Sequence, residues 1–182
     1  SYPDAVRAMA QRVGMEVPDD EEYQSRYRKQ ERLWALAKEA ARFFVTQLYA
    51  PTGAEGLRYA QSRGMSKGTL TRFGIGFAPD SWDSLCKAMR GKGYTDEELK
   101  DAGLVSVSQK NGNIFDRFRN RLMFPIIDVR GNVIGFGGRV MDNSTPKYLN
   151  SPETEIFNKR KNLFALNVAK KTKLGYLILV EG

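Results

Sequence analysis

The hydrophobic pattern changes once along the chain, from a helical period to a strand period, and this change constrains the fold more than any other feature. Up to Ala102 the apolar residues recur every three or four positions, whereas Leu104–Ser108 alternates apolar and polar side chains. A period of about 3.6 buries one face of a helix, and a period of about two buries one face of a strand. The sequence therefore predicts an α+β fold, with N-terminal helices followed by a small mixed or antiparallel sheet.

Helices are predicted throughout the first part of the chain, and local signals mark several of their ends. They cover Pro3–Gly14, Glu21–Ala50, Ala54–Arg63, Lys67–Phe73, Ser81–Met89 and Asp96–Ala102. Pro51 follows the second helix and cannot continue it. Ser66 is expected to cap the fourth helix, and Thr95 with Glu98 forms a capping box at the start of the sixth.

Strands dominate the predicted structure of the remaining sequence. After the alternating segment, further strands are expected at Leu122–Ile127, Val133–Gly138 and Tyr148–Leu149. Asn111-Gly112 is a strong hairpin-turn signal. A helix is predicted over Leu163–Lys171. Tyr176–Val180 is a continuous apolar run typical of a buried parallel strand, which would open a second α/β unit.

Positive charge is concentrated in the last third of the chain. The whole sequence has 29 Lys and Arg residues against 21 Asp and Glu residues, a net charge of +8. Residues 115–182 hold 12 basic and 6 acidic side chains, whereas residues 1–114 hold 17 and 15. Such an excess on a globular chain favours a polyanionic partner, nucleic acid first.

The scarcity of cysteine and histidine disfavours several kinds of site. Cys86 is the only cysteine and there is no histidine, which argues against an internal disulfide, a Ser-His or Cys-His nucleophile pair and a zinc site. A catalytic metal would have to be held by carboxylates, which favours Mg²⁺ or Mn²⁺. A single thiol suits a reducing, cytoplasmic location. No apolar run approaches the roughly 18 residues of a membrane helix, so no membrane partner is expected.

Three arginines alternate with other residues just before the Leu122–Ile127 strand. If the strand period extends through this segment, Arg117, Arg119 and Arg121 face one side while Phe118 faces the core. Three like charges on one face are suited to a phosphate backbone lying above them. A charged edge strand that prevents aggregation is the alternative.

A glycine-rich strand ends in a further arginine. Gly135, Gly137 and Gly138 precede Arg139, and glycines inside a strand usually mark a bulge or a close approach of another backbone. Arg139 could then reach a phosphate, although a simple bulge also explains the glycines. The segment matches neither GxGxxG nor the Walker GK[ST] signature, which disfavours a bound dinucleotide or a P-loop nucleotide.

Polar groups able to contact phosphate or ribose follow this strand. An extended segment between Pro146 and Pro152 presents Lys147 and Asn150, and a basic run at 159–161 comes soon after it. A solvated charge run is the common explanation for such a triplet.

A carboxylate follows the apolar run at 176–180. Glu181 would lie at the C-terminal end of a parallel strand, where α/β folds place their active sites. One carboxylate holds Mg²⁺ poorly, so companions would have to come from further sequence. The alternative is a glutamate without a role.

Taken together, these motifs closely resemble the bacterial replicative primase family (DnaG type) in order and spacing. The resemblance rests on YAQSRGM at 59–65, FGIGFAP at 73–79, RFRNRLMFPI at 117–126, GFGGR at 135–139, KYLNSPET at 147–154 and VEG at 180–182. It implies an RNA-polymerase core in two parts. An N-terminal α/β part has a basic ridge, and a Toprim part follows, whose first strand ends at Glu181.

The resemblance also implies roles for single residues. By this likeness Glu181 is catalytic and begins the acidic cluster that binds Mg²⁺ or Mn²⁺. The other implied residues all contact single-stranded DNA template or incoming NTPs: Arg63, Arg139 and Lys147 on the basic ridge, with Arg117, Arg119, Asn150 and Lys159 beside it.

The resemblance further divides the chain and implies partners outside it. Residues 1–20 match a trailing helix and linker after an absent zinc-binding module, residues 21–160 the N-terminal subdomain of the catalytic core, and residues 161–182 the start of a truncated Toprim domain. Zinc belongs only to the absent module, and the replicative helicase to an absent C-terminal region. We therefore expect a part of a DNA primase, inactive alone, that supplies a surface for template and NTP. The main alternative is a non-enzymatic single-stranded DNA-binding module.

Overall fold

The computed structural model describes residues 2–15 and 21–180 and divides into two units, Ser1–Glu31 and Arg32–Gly182. The first unit contains α1 (Tyr2–Arg12) and the first turns of α2 (Glu21–Tyr49). Met9 and Val13 are exposed, and the buried hydrophobic residues begin at Leu33. The described core therefore belongs to the second unit, where α2 contributes its C-terminal half.

Short helices follow α2 in the second unit. They are α3 (Ala54–Ser62), α4 (Lys67–Phe73), α5 (Ser84–Arg90), α6 (Asp96–Asp101) and α7 (Leu166–Ala169), with 3₁₀ turns at Pro51–Gly53 and Lys159–Lys161. The predicted caps are confirmed at two of them. The Ser66 hydroxyl accepts the Thr69 N–H at the start of α4. Thr95 and Glu98 form the reciprocal capping box of α6, with N–O distances of 3.2 and 2.7 Å.

Helix α5 begins three residues later than predicted because a distant residue caps it. The buried Asp116 carboxylate accepts the N–H groups of Leu85 and Cys86 at 2.7 and 3.0 Å. An anionic acceptor at a helix N-terminus satisfies free N–H groups and complements the helix dipole. Since Asp116 is remote in sequence from the helix, local capping signals could not reveal this start.

The strands form two antiparallel sheets. They are β1 (Gly76–Ala78), β2 (Val105–Val107), β3 (Ile114–Asp116), β4 (Arg121–Ile127), β5 (Val133–Val140) and β6 (Tyr148–Asn150). The larger sheet has the order β1-β4-β5-β6, and β2 pairs with β3 in the predicted hairpin. The α+β class, with helices preceding small antiparallel sheets, is confirmed.

The four-stranded sheet has two different faces because side chains alternate along each strand. One face packs on the main core, where Phe136 and Met123 lie in the same cluster as Phe44 of α2. On the opposite face, Leu122 packs with Phe77 and the helices α3 and α4 in a second cluster. These helices cover the β1 side of that face, and the β5–β6 side stays accessible.

The prediction of one strand through 117–121 is wrong. Strand β3 ends at Asp116 and β4 begins at Arg121, so the three arginines do not share a strand face. Asn120 between them has a positive φ of 47°, which is incompatible with a strand. Phe118 is nevertheless in the core as predicted, with 2% of its surface exposed.

The prediction of a buried strand at 176–180 is also wrong. These residues form no strand, and all five are exposed, Ile178 to 80%. A strand needs a hydrogen-bonded neighbour, and the described residues supply none beside this segment. Glu181 lies outside the described residues, and so do residues 16–20 of the predicted N-terminal linker. Helix α7 is shorter than the Leu163–Lys171 helix that was expected.

No helix in the described ranges combines the length and the apolar character required to cross a bilayer.

Candidate nucleic-acid interface

A cleft of about 630 Å³ lies on the face of the four-stranded sheet opposite the main core. Leu122, Phe124 and Gly137 contribute its base, from β4 and β5. Helix α3 lines one part of it, and the segment after β6 lines another. All of the lining residues belong to the second unit.

The strand register brings two predicted site residues, Arg139 and Asn150, into this cleft. Arg139 of β5 lies directly opposite Tyr148 of β6, and Gly137 lies opposite Asn150. Directly opposed residues of an antiparallel pair point to the same face of a sheet. Gly137 leaves space for this arrangement, because a Cβ there would lie 3.1 Å from Asn150 Oδ1.

Helix α3 places Tyr59 against Arg139 and brings Arg63 into the same cleft lining. Tyr59 and Arg63 are four residues apart and therefore lie on one side of the helix end. The Arg139 guanidinium is 4.9 Å from the Tyr59 ring centroid and 5.7 Å from the Tyr148 ring centroid. Its Nε donates to Tyr148 Oη at 3.3 Å. Two aromatic rings thus hold one cation at the cleft surface.

Two lysines extend the positive charge. Lys147 Nζ is 5.9 Å from the Tyr148 ring centroid, beside the cleft rather than in its lining. Lys159 lines the cleft at the start of a 3₁₀ turn, where its backbone N–H donates to Glu153 Oε1 at 2.9 Å. The loop after β6 is therefore fixed by a backbone contact while the ammonium group remains available.

The electrostatic field inside the cleft is positive. Arg63, Arg139 and Lys159 are among its lining residues, and none of those residues is acidic. The pKa of Tyr148 is held below its usual range, first by the hydrogen bond from Arg139 and then by the nearby charges of Arg139, Lys147 and Arg63. The cleft thus favours anions.

The remaining predicted site residues lie outside the cleft lining. Arg117 donates from NH2 to the backbone oxygen of Asn150 at 3.2 Å, and burial lowers the pKa of its guanidinium. Arg119 donates to the Asp116 backbone oxygen and stacks on the exposed Trp82, 4.0 Å from its ring centroid. The cleft therefore brings together Arg63, Arg139, Asn150 and Lys159, with Lys147 at its edge.

Sequence patterns missed several aromatic residues of the cleft, among them Tyr59 and Phe164. Tyr59 stands four residues before Arg63, so the helical period could have paired them. Phe164 lines the cleft and stacks on Phe73 with ring centroids 6.3 Å apart. No local pattern marks Phe164, because this contact joins residues about 90 positions apart through the fold.

Neither a metal site nor a reactive thiol is found in the described part of the chain. Residues 2–15 and 21–180 contain no group of three or more His, Cys, Asp or Glu side chains able to hold a metal ion. Burial and the neighbouring Asp116 raise the pKa of the Cys86 thiol to about 12, so it is not a nucleophile.

Comparisons with known proteins agree with this architecture. The family model described as the DNA primase catalytic core, N-terminal domain, matches residues 43–170. The DNA primase of Clostridium acetobutylicum is 46% identical over 100% of this chain and 30% of that protein, and the DNA primase of Deinococcus radiodurans is 41% identical over 100% and 31%. The chain thus spans about three tenths of these curated relatives.

Solved structures show the same fold. A DnaG primase catalytic domain bound to ssDNA matches with a TM-score of 0.75 and 42% identity, over 79% of this chain and 44% of that one. The RNA polymerase domain of Mycobacterium tuberculosis primase DnaG matches with a TM-score of 0.72 and 37% identity, over 77% and 46%. Fold and cleft define an α+β domain with a basic, aromatic-lined surface. The chain belongs to the DNA primase catalytic core family and corresponds to its N-terminal domain.

Proposed function

We propose that this chain is the part of a DNA primase that holds single-stranded template and incoming NTP while a longer protein synthesises an RNA primer. The observation that supports this most is the Arg139 guanidinium held between Tyr59 and Tyr148 in a cleft without acidic lining residues. The ssDNA-bound catalytic domain that matches this fold supports the same reading.

The cleft offers complementary groups for each part of a nucleotide. Arg63, Lys147 and Lys159 can neutralise phosphates. The Tyr148 ring, 62% exposed, can stack on a base. Asn150 presents an amide that can both donate to and accept from a base edge or a ribose. Binding in this cleft would orient the template and the triphosphate without any chemistry by these groups.

Primer synthesis would need a metal that the described residues do not hold. Mg²⁺ or Mn²⁺ would neutralise charge on the transferring phosphate, and carboxylates would hold it. We propose Glu181 as the first of these catalytic, metal-binding carboxylates. In the same reading residues 1–20, 21–160 and 161–182 are the linker, the N-terminal subdomain and the start of a Toprim domain of a cytoplasmic enzyme that meets the replicative helicase elsewhere.

A single-stranded DNA-binding module without enzymatic activity is the second candidate. Such modules stack bases on exposed aromatic rings that lie among basic residues, and Tyr148 beside Arg139 has this arrangement. Phe118, which lies between Arg117 and Arg119 in the sequence, is buried and does not add a second exposed ring. The two functions share a cleft and differ in catalysis.

Binding is tested by fluorescence anisotropy of a labelled single-stranded DNA over a salt series. Arg63→Ala, Arg139→Ala and Lys147→Ala are each expected to weaken binding and to reduce the salt slope by about one counterion. Lys110→Ala, in the exposed β2–β3 turn, removes an equal charge away from the cleft and serves as control. No binding by the unaltered protein at low salt would refute the template role.

Catalysis is tested in a longer protein that includes Glu181 and the sequence after it. Changing Arg139 and Lys147 together to alanine is expected to abolish primer synthesis, because template and triphosphate lose their positions. Normal priming by this double variant would contradict the proposed function. Retained DNA binding without priming by the unaltered longer protein would favour the non-enzymatic module.

A further inference from the structure

Two arginines approach the edge strand β6 from behind the cleft. Arg121 NH1 donates to the backbone oxygen of Pro146 at 2.9 Å, just before the strand, and Arg117 NH2 donates to the backbone oxygen of Asn150 at 3.2 Å, at its end. The two carbonyl groups lie at the two ends of the segment 146–150. This segment carries Lys147 and the cleft-lining residues Tyr148 and Asn150. Two guanidinium groups therefore hold the segment that presents these groups.

The setting of Arg121 is that of a positioning residue rather than a ligand. Only 7% of its surface is exposed. It pairs across the sheet with Val140 and so belongs to the face away from the cleft. Its Cδ would lie 3.0 Å from a Cβ at Gly138, so the side chain crosses the strand where a glycine leaves room. This contact explains a glycine that no turn requires.

Neither arginine has the partner that a buried cation usually has. Among the described residues no carboxylate lies within salt-bridge distance of Arg117 or Arg121. Burial lowers the pKa of both guanidinium groups, and at Arg121 the more distant charge of Asp142 opposes this effect without reversing it. Arg117 Nε also finds no hydrogen-bond partner in the described part of the chain. Desolvating an unpaired cation is costly, so these residues are poorly explained as contributors to stability alone.

Strand β6 needs such support because it is short and lies at the sheet edge. It has three residues and pairs on one side only, with β5. Edge segments with few ladder bonds open most readily. An aromatic platform on such a strand would lose its geometry whenever the strand detached.

We propose that Arg117 and Arg121 are positioning residues that clamp β6 by its backbone carbonyls and so fix Tyr148, Asn150 and Lys147 for ligand binding. This rests on the proposed function of the cleft and assigns Arg117 a place behind the ligand instead of against it. Mutating a residue that contacts a phosphate removes one counterion-linked contact and lowers the salt slope. Mutating a positioning residue lowers the affinity but leaves the number of contacted phosphates, and so the salt slope, unchanged.

The first test measures amide hydrogen exchange, which does not depend on DNA binding. Reporter amides are Val140, which donates to Lys147 O at 3.1 Å, and Ser151, which donates to Phe136 O at 2.8 Å. The buried Leu70, which donates to Ser66 O at 2.9 Å in the second cluster, reports a part of the core away from both arginines. In Arg121→Met and Arg117→Met the two reporters are expected to exchange about tenfold faster while Leu70 is unchanged. Arg130→Met, in the exposed β4–β5 turn, is the control. Unchanged reporters, or equal acceleration at Leu70, would overturn the proposal.

The second test is the salt dependence of single-stranded DNA binding by the same variants. Arg117→Met and Arg121→Met are expected to weaken binding about fivefold with an unchanged slope, and Arg117→Lys, which keeps a donor, to recover part of the affinity. A slope reduced by about one would make either residue a direct phosphate ligand and overturn the clamp. If Arg121→Met does not fold, Arg117→Met is judged by the same criteria. If the unaltered protein binds no DNA, the proposed function fails while the exchange result still decides the clamp.

Discussion

The two faces of strand β5 are built from one alternating sequence but have opposite properties. Ile134, Phe136 and Val140 point to the core face and are almost fully buried. Gly137 and Arg139 point to the cleft face, one without a side chain and the other charged. The difference shows that a period of about two determines which residues share a face, while residue type decides whether that face becomes core or binding surface.

The largest effect is expected on the core face. Phe136→Ala removes a ring that lies 5.4 Å from Phe44 and 6.2 Å from Phe118 between centroids. We expect the free energy of unfolding to fall by about 3–5 kcal/mol, measured by chemical denaturation. A loss below about 1 kcal/mol would mean that this face is not the core.

On the cleft face, the matching change should affect binding and not folding. Arg139→Ala is expected to weaken single-stranded DNA binding by about 1–3 kcal/mol, measured by anisotropy at low salt. Its free energy of unfolding should stay within about 0.5 kcal/mol of the unaltered protein, because the side chain is only partly buried and lies on the cleft face of the sheet. Equal losses of stability and binding would remove the distinction between the faces.

Adjacent glycines allow the sharpest comparison between the faces. A Cβ at Gly138 would lie 3.0–3.3 Å from Arg121, Phe118 and Met123, and we expect Gly138→Ala to cost about 1–3 kcal/mol of stability. A Cβ at Gly137 would meet only Asn150 Oδ1, so Gly137→Ala should leave stability within about 0.5 kcal/mol. Thermal unfolding of the two variants measures both losses. A larger loss of stability in Gly137→Ala than in Gly138→Ala would contradict the assignment of the faces.

The smallest effect is an ionisation on the cleft face. The Tyr148 phenol has a pKa below its ordinary range, mainly through the hydrogen bond from Arg139. Arg139→Ala should raise that pKa towards the usual value, because the cation that favours the phenolate is gone. The pKa of Tyr148 is measured from the phenolate absorbance as a function of pH, in the unaltered protein and in Arg139→Ala. Subtracting the absorbance of the matching Tyr148→Phe variant removes the contribution of the other tyrosines. The same pKa in both proteins would exclude the Arg139–Tyr148 contact.

Sequence patterns predicted the parts of the fold that depend on neighbouring residues. The start of α4 at Lys67, the capping box at Thr95 and the start of β5 at Val133 all follow from local period and capping chemistry. The family was also predicted from motif order, and the comparisons confirm it. Local signals are sufficient here because each acts within one helical turn or one strand.

The features of the fold and the cleft that the sequence did not predict depend on contacts between distant residues. Asp116 moves the start of α5, the positive φ of Asn120 interrupts the expected arginine strand, and Phe164 reaches the cleft through Phe73. The apolar run at 176–180 has the composition of a buried strand but no paired neighbour in the described chain. Composition alone cannot supply such a neighbour, because strand formation is a property of a pair.

The central claim, that the cleft is the nucleic-acid interface, is tested most directly by NMR titration of the labelled protein with a short single-stranded DNA. We predict that the largest shift changes occur at Tyr59, Arg63, Arg139, Tyr148 and Lys159, with small changes at the remote Trp82 and Lys110. Changes centred on Trp82 and Arg119, with the cleft residues unaffected, would contradict the account and move the interface to that exposed cluster.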